Sequence, residues 1–211
     1  MRQIHLTLLV LVGACQPAES ERDQEPVVAT PNRIAGEPTL PTLTCSDPIQ
    51  PADTAASLQQ RYGDQARFER LHGAEGIEFT GLVLWPDDPA RRLEVVFAEE
   101  GAHAVSSIGL SSGSEWRVAG LAIGAPIARA NAVNGKPFKL WGFSWDYGGY
   151  ASDLGGGKLA ALPGGCRLVM RLGPRKGAEV PDALIGEVEL SSDDPRLEAA
   201  GVTIEELTLA F

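Results

Sequence analysis

Trp141, Phe143, Trp145 and Tyr147 stand at every second position, with Gly142, Ser144 and Asp146 between them. In a strand that spacing sends all four rings to one face. Such a stripe does one of two things. It stacks on glycan rings or anchors a protein partner, since Trp and Tyr dominate interface hot spots, or it packs as core beneath a helix. Core is the expectation for Trp141 and Phe143. For Trp145 and Tyr147, which adjoin Asp146 and a glycine-rich stretch, both readings stand. The candidate binding residues are therefore Trp145, Asp146, Tyr147, Tyr150 and Asp153.

Other patterns lead to no chemistry. Gly109-Leu110-Ser111-Ser112-Gly113 matches the nucleophile-elbow spacing, but an elbow runs from a strand straight into a helix, and Ser114 to Val118 reads as a turn and a short strand. His72 and His103 lie at no ligand spacing with another His or Cys, so no zinc site is expected. Asp146 and Asp153 flank glycines but lack the alternating ligands of a calcium loop. Gly155-Gly156-Gly157-Lys158 lacks the spacing and the Ser or Thr of a phosphate loop. A carboxylate pair for glycoside hydrolysis can be drawn from Asp146 and Asp153, as from most acidic proteins. No catalytic residue, metal ligand or cofactor is assigned.

The elements that would carry these residues read as α+β. Asp53 or Thr54 caps a helix running to Tyr62 with Ala55, Leu58 and Tyr62 on one face and Gly63 as its stop. Strands follow at Glu78 to Trp85, Arg92 to Ala98 and His103 to Leu110, the first two joined through Pro86-Asp87-Asp88-Pro89. The alternation of Leu93, Val95 and Phe97 with Arg92 and Glu94 marks an antiparallel sheet with one wet face. A second helix enters through Gly124-Ala125-Pro126 and ends at Asn134-Gly135, before strands at Phe138 to Tyr147 and Arg167 to Leu172. Asp194-Pro195 caps a short helix ending at Gly201, and a last strand covers Val202 to Phe211. Its apolar phase changes between Ile204 and Leu207, so Glu205-Glu206 should form a bulge. Two loosely similar helix-then-sheet units, 49–112 and 120–173, precede an extension at 180–211.

Eighteen Lys and Arg against 28 Asp and Glu give a net charge of −10. That balance argues against nucleic acid as a partner, because phosphate binding draws on clustered cations. The chain opens with one basic residue, Arg2, and an apolar run from Ile4 to Val12, well short of the roughly 20 residues a spanning helix needs. With Val12-Gly13-Ala14-Cys15 closing the run, residues 1–15 resemble a bacterial lipoprotein signal. The resemblance implies removal of residues 1–14, acylation of Cys15, and, with Gln16 in place of Asp after the cysteine, an outer-membrane anchor facing the periplasm. Residues 15–42, rich in Pro, Glu, Ser and Thr, read as a disordered linker with an r.m.s. reach of roughly 30 Å, ahead of a domain at 43–211. Once Cys15 is given to lipid, Cys45 and Cys166 remain as an even pair in an oxidising compartment and are expected to be bonded.

The order of short helix, terminal Tyr62-Gly63 or Asn134-Gly135, and antiparallel meander resembles small periplasmic lipoproteins of the BamE/OmlA type, and in duplicate the β-lactamase-inhibitory-protein architecture. The stretches Asn134 to Phe138 and Trp145 to Gly149 resemble segments of bacterial lipoproteins without an assigned activity. Taken with the anchor and the absence of a catalytic pattern, the expectation is a non-enzymatic binding or accessory module of the cell envelope, with an envelope protein or glycan as its partner. Two rivals remain open. One is an envelope enzyme acting on peptidoglycan or glycan through Asp146, which would need Asp146 in a deep cleft beside a second titratable group. The other is an inhibitor that presents its aromatic loop to a target enzyme, which would need Trp145 and Tyr147 on a shallow patch.

Overall fold

A computed structural model describes residues 40–73, 76–98 and 104–211. The expected signal, Cys15, nearly all of the linker, and His103 at the start of the third expected strand lie outside these residues. The expected α+β class is what the structure shows: among the described residues there are three α-helices and eleven strands, with most strands paired antiparallel.

The first helix, α1 (Ala55–Tyr62), starts where the sequence signals place it. Thr54 is the N-cap and forms a reciprocal capping box with Ser57, whose hydroxyl accepts from the Thr54 N–H at 2.9 Å. Asp53 works from just outside the helix. Its carboxylate accepts from the Gln50 N–H (2.8 Å), the Ser57 hydroxyl (3.1 Å) and both terminal nitrogens of Arg61, the closer at 2.6 Å. The side chain is buried, which pushes its pKa upward, but the Gln50 amide and Arg61 outweigh burial and hold it below the ordinary carboxylate range. A carboxyl depressed in the folded state stabilises the fold above its unfolded pKa of about 4, and that contribution is lost as pH falls through the depressed value. Asp53→Asn is therefore expected to cost about 2 kcal/mol at pH 7. The gap from wild type should narrow in urea melts at pH 3; a gap independent of pH would show that the charge is not what matters.

Six strands make the main sheet, in the order β2-β3-β4-β5-β11-β9: β2 (Ala66–His72), β3 (Glu78–Leu84), β4 (Leu93–Phe97), β5 (Val105–Leu110), β11 (Thr203–Ala210) and β9 (Arg167–Gly173). Register lines up Phe68, Leu82, Val95, Ile108, Leu209 and Leu168 across all six strands. The last five are buried, so this row is the core face, and Phe68 is its half-exposed end on the edge strand. Because side chains alternate, the neighbouring row of Arg67, Val83, Glu94, Gly109, Thr208 and Val169 occupies the opposite face. The bulge expected at Glu205-Glu206 is present as a register shift between Ile204 and Glu206.

The core face is closed by α1, by α2 (Ile127–Asn134), by α3 (Pro195–Ala199) and by the N-terminal segment. Leu58, Ile127, Ala130 and Leu197 join the same buried cluster as the sheet leucines. Asn134-Gly135 ends α2 as expected, with Gly135 left-handed at φ 81°. Asp194 caps α3 by accepting from the Arg196 N–H at 2.9 Å. The N-terminal segment contributes Leu43 and Ile49 to the core and a two-residue strand, β1 (Thr42–Leu43), parallel to β6 (Arg117–Val118). Cys45 is bonded to Cys166, as expected, which ties this segment to the start of β9.

The sequence reading needs correction after α2. The strand expected from Phe138 to Tyr147 is only β7 (Lys139–Trp141), which lies between β10 (Glu189–Ser191) and β8 (Ala151–Asp153) in a separate three-stranded sheet. Strands β1, β2, β8 and β10 are not expected from the sequence, and Thr42, the last residue of the expected linker, lies in β1, where it pairs with Arg117. Helix and antiparallel strand do recur after α2, but there the strands divide between two sheets, β7 in one and β9 in the other.

Candidate functional site

The chain leaves β7 under close backbone control. The Gly142 N–H donates to Val188 O (2.8 Å), the Phe143 N–H to Leu184 O (2.8 Å) and the Gly186 N–H to Phe143 O (2.8 Å). A Cβ on Gly142 would press on the Gly186 and Leu184 carbonyl oxygens, so only glycine allows this approach. Ser144 then adopts φ 67°, outside the strand region. The strand ends there for a physical reason, and the four rings do not share one face.

Phe143 turns inward and is buried, as expected. Trp141, expected in the core, is only half-buried, and it meets Trp145 edge-to-face at 6.0 Å. Trp145 meets Tyr147 in turn at 5.5 Å and anchors its indole by donating to Gly142 O at 2.9 Å. Tyr147 is 48% exposed. Three rings thus form one contiguous surface group on a tight turn, locked by the Gly148 N–H to Trp145 O bond and the Gly149 N–H to Trp141 O bond. Ile185 and Val188, on the strand-like segment that clasps Gly142 and Phe143, are also exposed. Asp146, Glu187 and Glu189 are exposed nearby in sequence on the same two segments.

The remaining candidates do different work. Tyr150 leans away from the turn toward the main sheet, where its hydroxyl donates to Glu206 at 3.2 Å and its ring lies 5.4 Å from the Arg171 guanidinium. Burial, and then the Glu206 carboxylate, raise its phenol above the ordinary value, with Arg171 opposing. Arg171 itself donates to Gly148 O (3.1 Å) and to Glu206 (2.9 Å), so it joins the turn to β11. Asp153 accepts from the Gly155 N–H at 2.7 Å and thereby opens the glycine-rich loop, a turn-forming role. The structure therefore groups Trp145, Asp146 and Tyr147, adds Trp141, and sends Tyr150 and Asp153 to supporting positions.

Asp146 sits exposed on the turn, where catalysis at Asp146 would call for a deep cleft. Among the described residues no group of three or more His, Cys, Asp or Glu could hold a metal ion, and His72 pairs with Glu78 at 3.6 Å. Gly109 belongs to β5 and Ser111 to Gly113 form a turn, so no helix follows the elbow-like motif. Lys158 opens a short 3-10 turn beside Asn134, whose buried amide accepts from the Leu159 N–H and donates to Lys136 O and Leu154 O. Gly157 serves this packing, since a Cβ on it would collide with Asn134, while Gly155 and Gly156 supply left-handed turn positions at φ 62°. No family model matches the chain, and no curated protein or solved structure shows significant similarity to it.

Proposed function

We propose that this protein is a lipid-anchored binding module of the outer membrane, held on its periplasmic side by acylated Cys15 and engaging an envelope protein through the Trp141-Trp145-Tyr147 surface. The observation that carries this reading is the placement of three contacting aromatic side chains on a surface turn whose backbone is fixed by hydrogen bonds to two other segments. Rings ordered in this way lose little freedom on binding, which is what makes Trp and Tyr effective anchors. The acidic residues around them suit a rim that steers the encounter and sets partner choice. Exposure of Asp146 on the turn favours binding over catalysis at that residue.

Two measurements test it. Labelled palmitate should enter the full chain and be lost in Cys15→Ala; incorporation that survives this change removes the anchor. A photo-crosslinker at position 187, beside the rings but not among them, should capture a defined envelope protein in intact cells. Trp145→Ala with Tyr147→Ala should abolish capture, since hot-spot truncations cost about 2 kcal/mol or more each, roughly 30-fold in affinity. Recovery of a muropeptide at the turn, with no protein, would move the assignment to glycan binding or hydrolysis.

A further inference from the structure

The open face of the main sheet holds a trough of about 430 Å³, lined by none of the residues of the aromatic turn. Its floor is made by small residues in the middle of β5 and β11: Ser107, Gly109 and Thr208. Leu71 and Phe79 from β2 and β3 and Val96 from β4 supply apolar wall, while Glu94, Glu205 and Glu206 bring three carboxylates.

Gly109 is the informative residue. Glycine inside a strand costs roughly 0.5–1 kcal/mol and marks a bulge, a crowded contact, or a place where a ligand approaches the backbone. The first two explanations fail here. Gly109 pairs in regular register with Glu94 on one side and Thr208 on the other. It needs no left-handed φ, and a Cβ built on it would meet nothing closer than Thr208 Oγ1 at 3.7 Å. Gly81, two strands away on β3, shows the contrast, because Leu71 lies directly over it and leaves no room for a side chain. The chain therefore keeps a destabilising glycine at the one floor position where a side chain would fit and would fill the trough.

The charges narrow the occupant. Glu94 accepts from Arg92 at 3.0 Å and Glu206 from Arg171 at 2.9 Å, so each of these carboxylates already has a cationic partner. Glu205, on the bulge, is exposed and makes no salt bridge among the described residues. A long aliphatic side chain ending in a cation matches both halves of the lining, its stem against Leu71, Phe79 and Val96 and its head at Glu205. We propose that this trough is a second docking site, for a segment of a partner protein in which basic and apolar side chains alternate. The site shares no lining residue with the aromatic turn, although Arg171 links its Glu206 to Gly148 of that turn.

The test uses the full chain and a fluorescein-labelled peptide of alternating lysine and leucine, with an alternating glutamate and leucine peptide and an oligolysine as comparisons, read by anisotropy. The lysine-leucine peptide should bind and the other two should bind at least 10-fold more weakly. Gly109→Leu should abolish binding while leaving the melting temperature unchanged or higher, and Glu205→Gln should weaken binding about 10-fold. Trp145→Ala should bind like wild type. Equal binding by Gly109→Leu, or by oligolysine, would show a non-specific attraction to an acidic surface and overturn the site. Loss in Trp145→Ala but not in Gly109→Leu would assign the peptide to the aromatic turn and overturn it equally. A failure of protein capture at that turn, with this peptide result intact, would count against the aromatic interface alone.

Discussion

Replacing Cys45 and Cys166 together by alanine is expected to lower stability by up to about 5 kcal/mol and the melting temperature by roughly 10–20 °C. The size follows from the separation of 121 residues, since a longer closed loop removes more freedom from the unfolded chain. The native state has its own stake in the bond. The segment carrying Cys45 is held to the body by a two-residue parallel pairing, by burial of Leu43 and Ile49, and by bonds from Arg61 and Tyr62 to Pro48 O. Those contacts keep the segment near its site, so the double variant should still fold. Its amides at 40–54 should exchange much faster than in wild type, while β5 and β11 exchange only by global unfolding. The same loss should follow from dithiothreitol alone. Full stability in the double variant would show that the covalent clasp is redundant. A loss with uniform exchange would show that it acts only through the unfolded state.

What the sequence makes legible here is whatever is decided locally. Caps are local: Asp53-Thr54, Asn134-Gly135 and Asp194-Pro195 each announce a helix end, and each is found in place, with Thr54 rather than Asp53 as the first cap. Strands with a clean alternation are nearly so, and β4 and β11 follow their apolar phase, β11 even through the bulge at Glu205-Glu206. The strand β2 escapes because its pattern is not clean: Phe68 points to the core side yet is half-exposed at the sheet edge, and Leu71 is buried on the other side by lying over Gly81. Its pairing with β3 decides its structure. Strands β8 and β10, three residues each, exist only because β7 lies between them. The aromatic stripe misleads in the opposite direction. Its period of two suggests a strand, but the positive φ of Ser144 and the carbonyls pressing on Gly142 convert half of it into a turn. The candidate residues were therefore visible as types and invisible as an arrangement, and the trough on the open face, assembled from five strands, left only the unexplained Gly109 in the sequence.

Gly149→Ala is expected to cost about 2–5 kcal/mol and to disorder the aromatic turn along with the fold. Two terms add. At φ 80° a non-glycine residue costs about 1–2 kcal/mol, and the added Cβ would run into the Leu172 carbonyl oxygen on β9, an overpacking of about 1–3 kcal/mol because backbone cannot step aside as a side chain can. Gly149 is also where the small sheet meets the large one. Its N–H donates to Trp141 O at 3.0 Å and its carbonyl accepts from Leu172 at 2.9 Å, so pushing it off β9 drags the turn that presents Trp145 and Tyr147. Gly165→Ala isolates the first term, since Gly165 has φ 83° but nothing within 4 Å of a built Cβ. In urea melts Gly149→Ala should therefore fall below Gly165→Ala by the overpacking term. Below its transition, Gly149→Ala alone should show red-shifted tryptophan emission and lose the protein captured from position 187. Equal costs for the two variants, with unchanged emission, would mean that β9 does not hold the turn, and the preorganisation on which the binding role depends would have to come from the 184–188 segment instead.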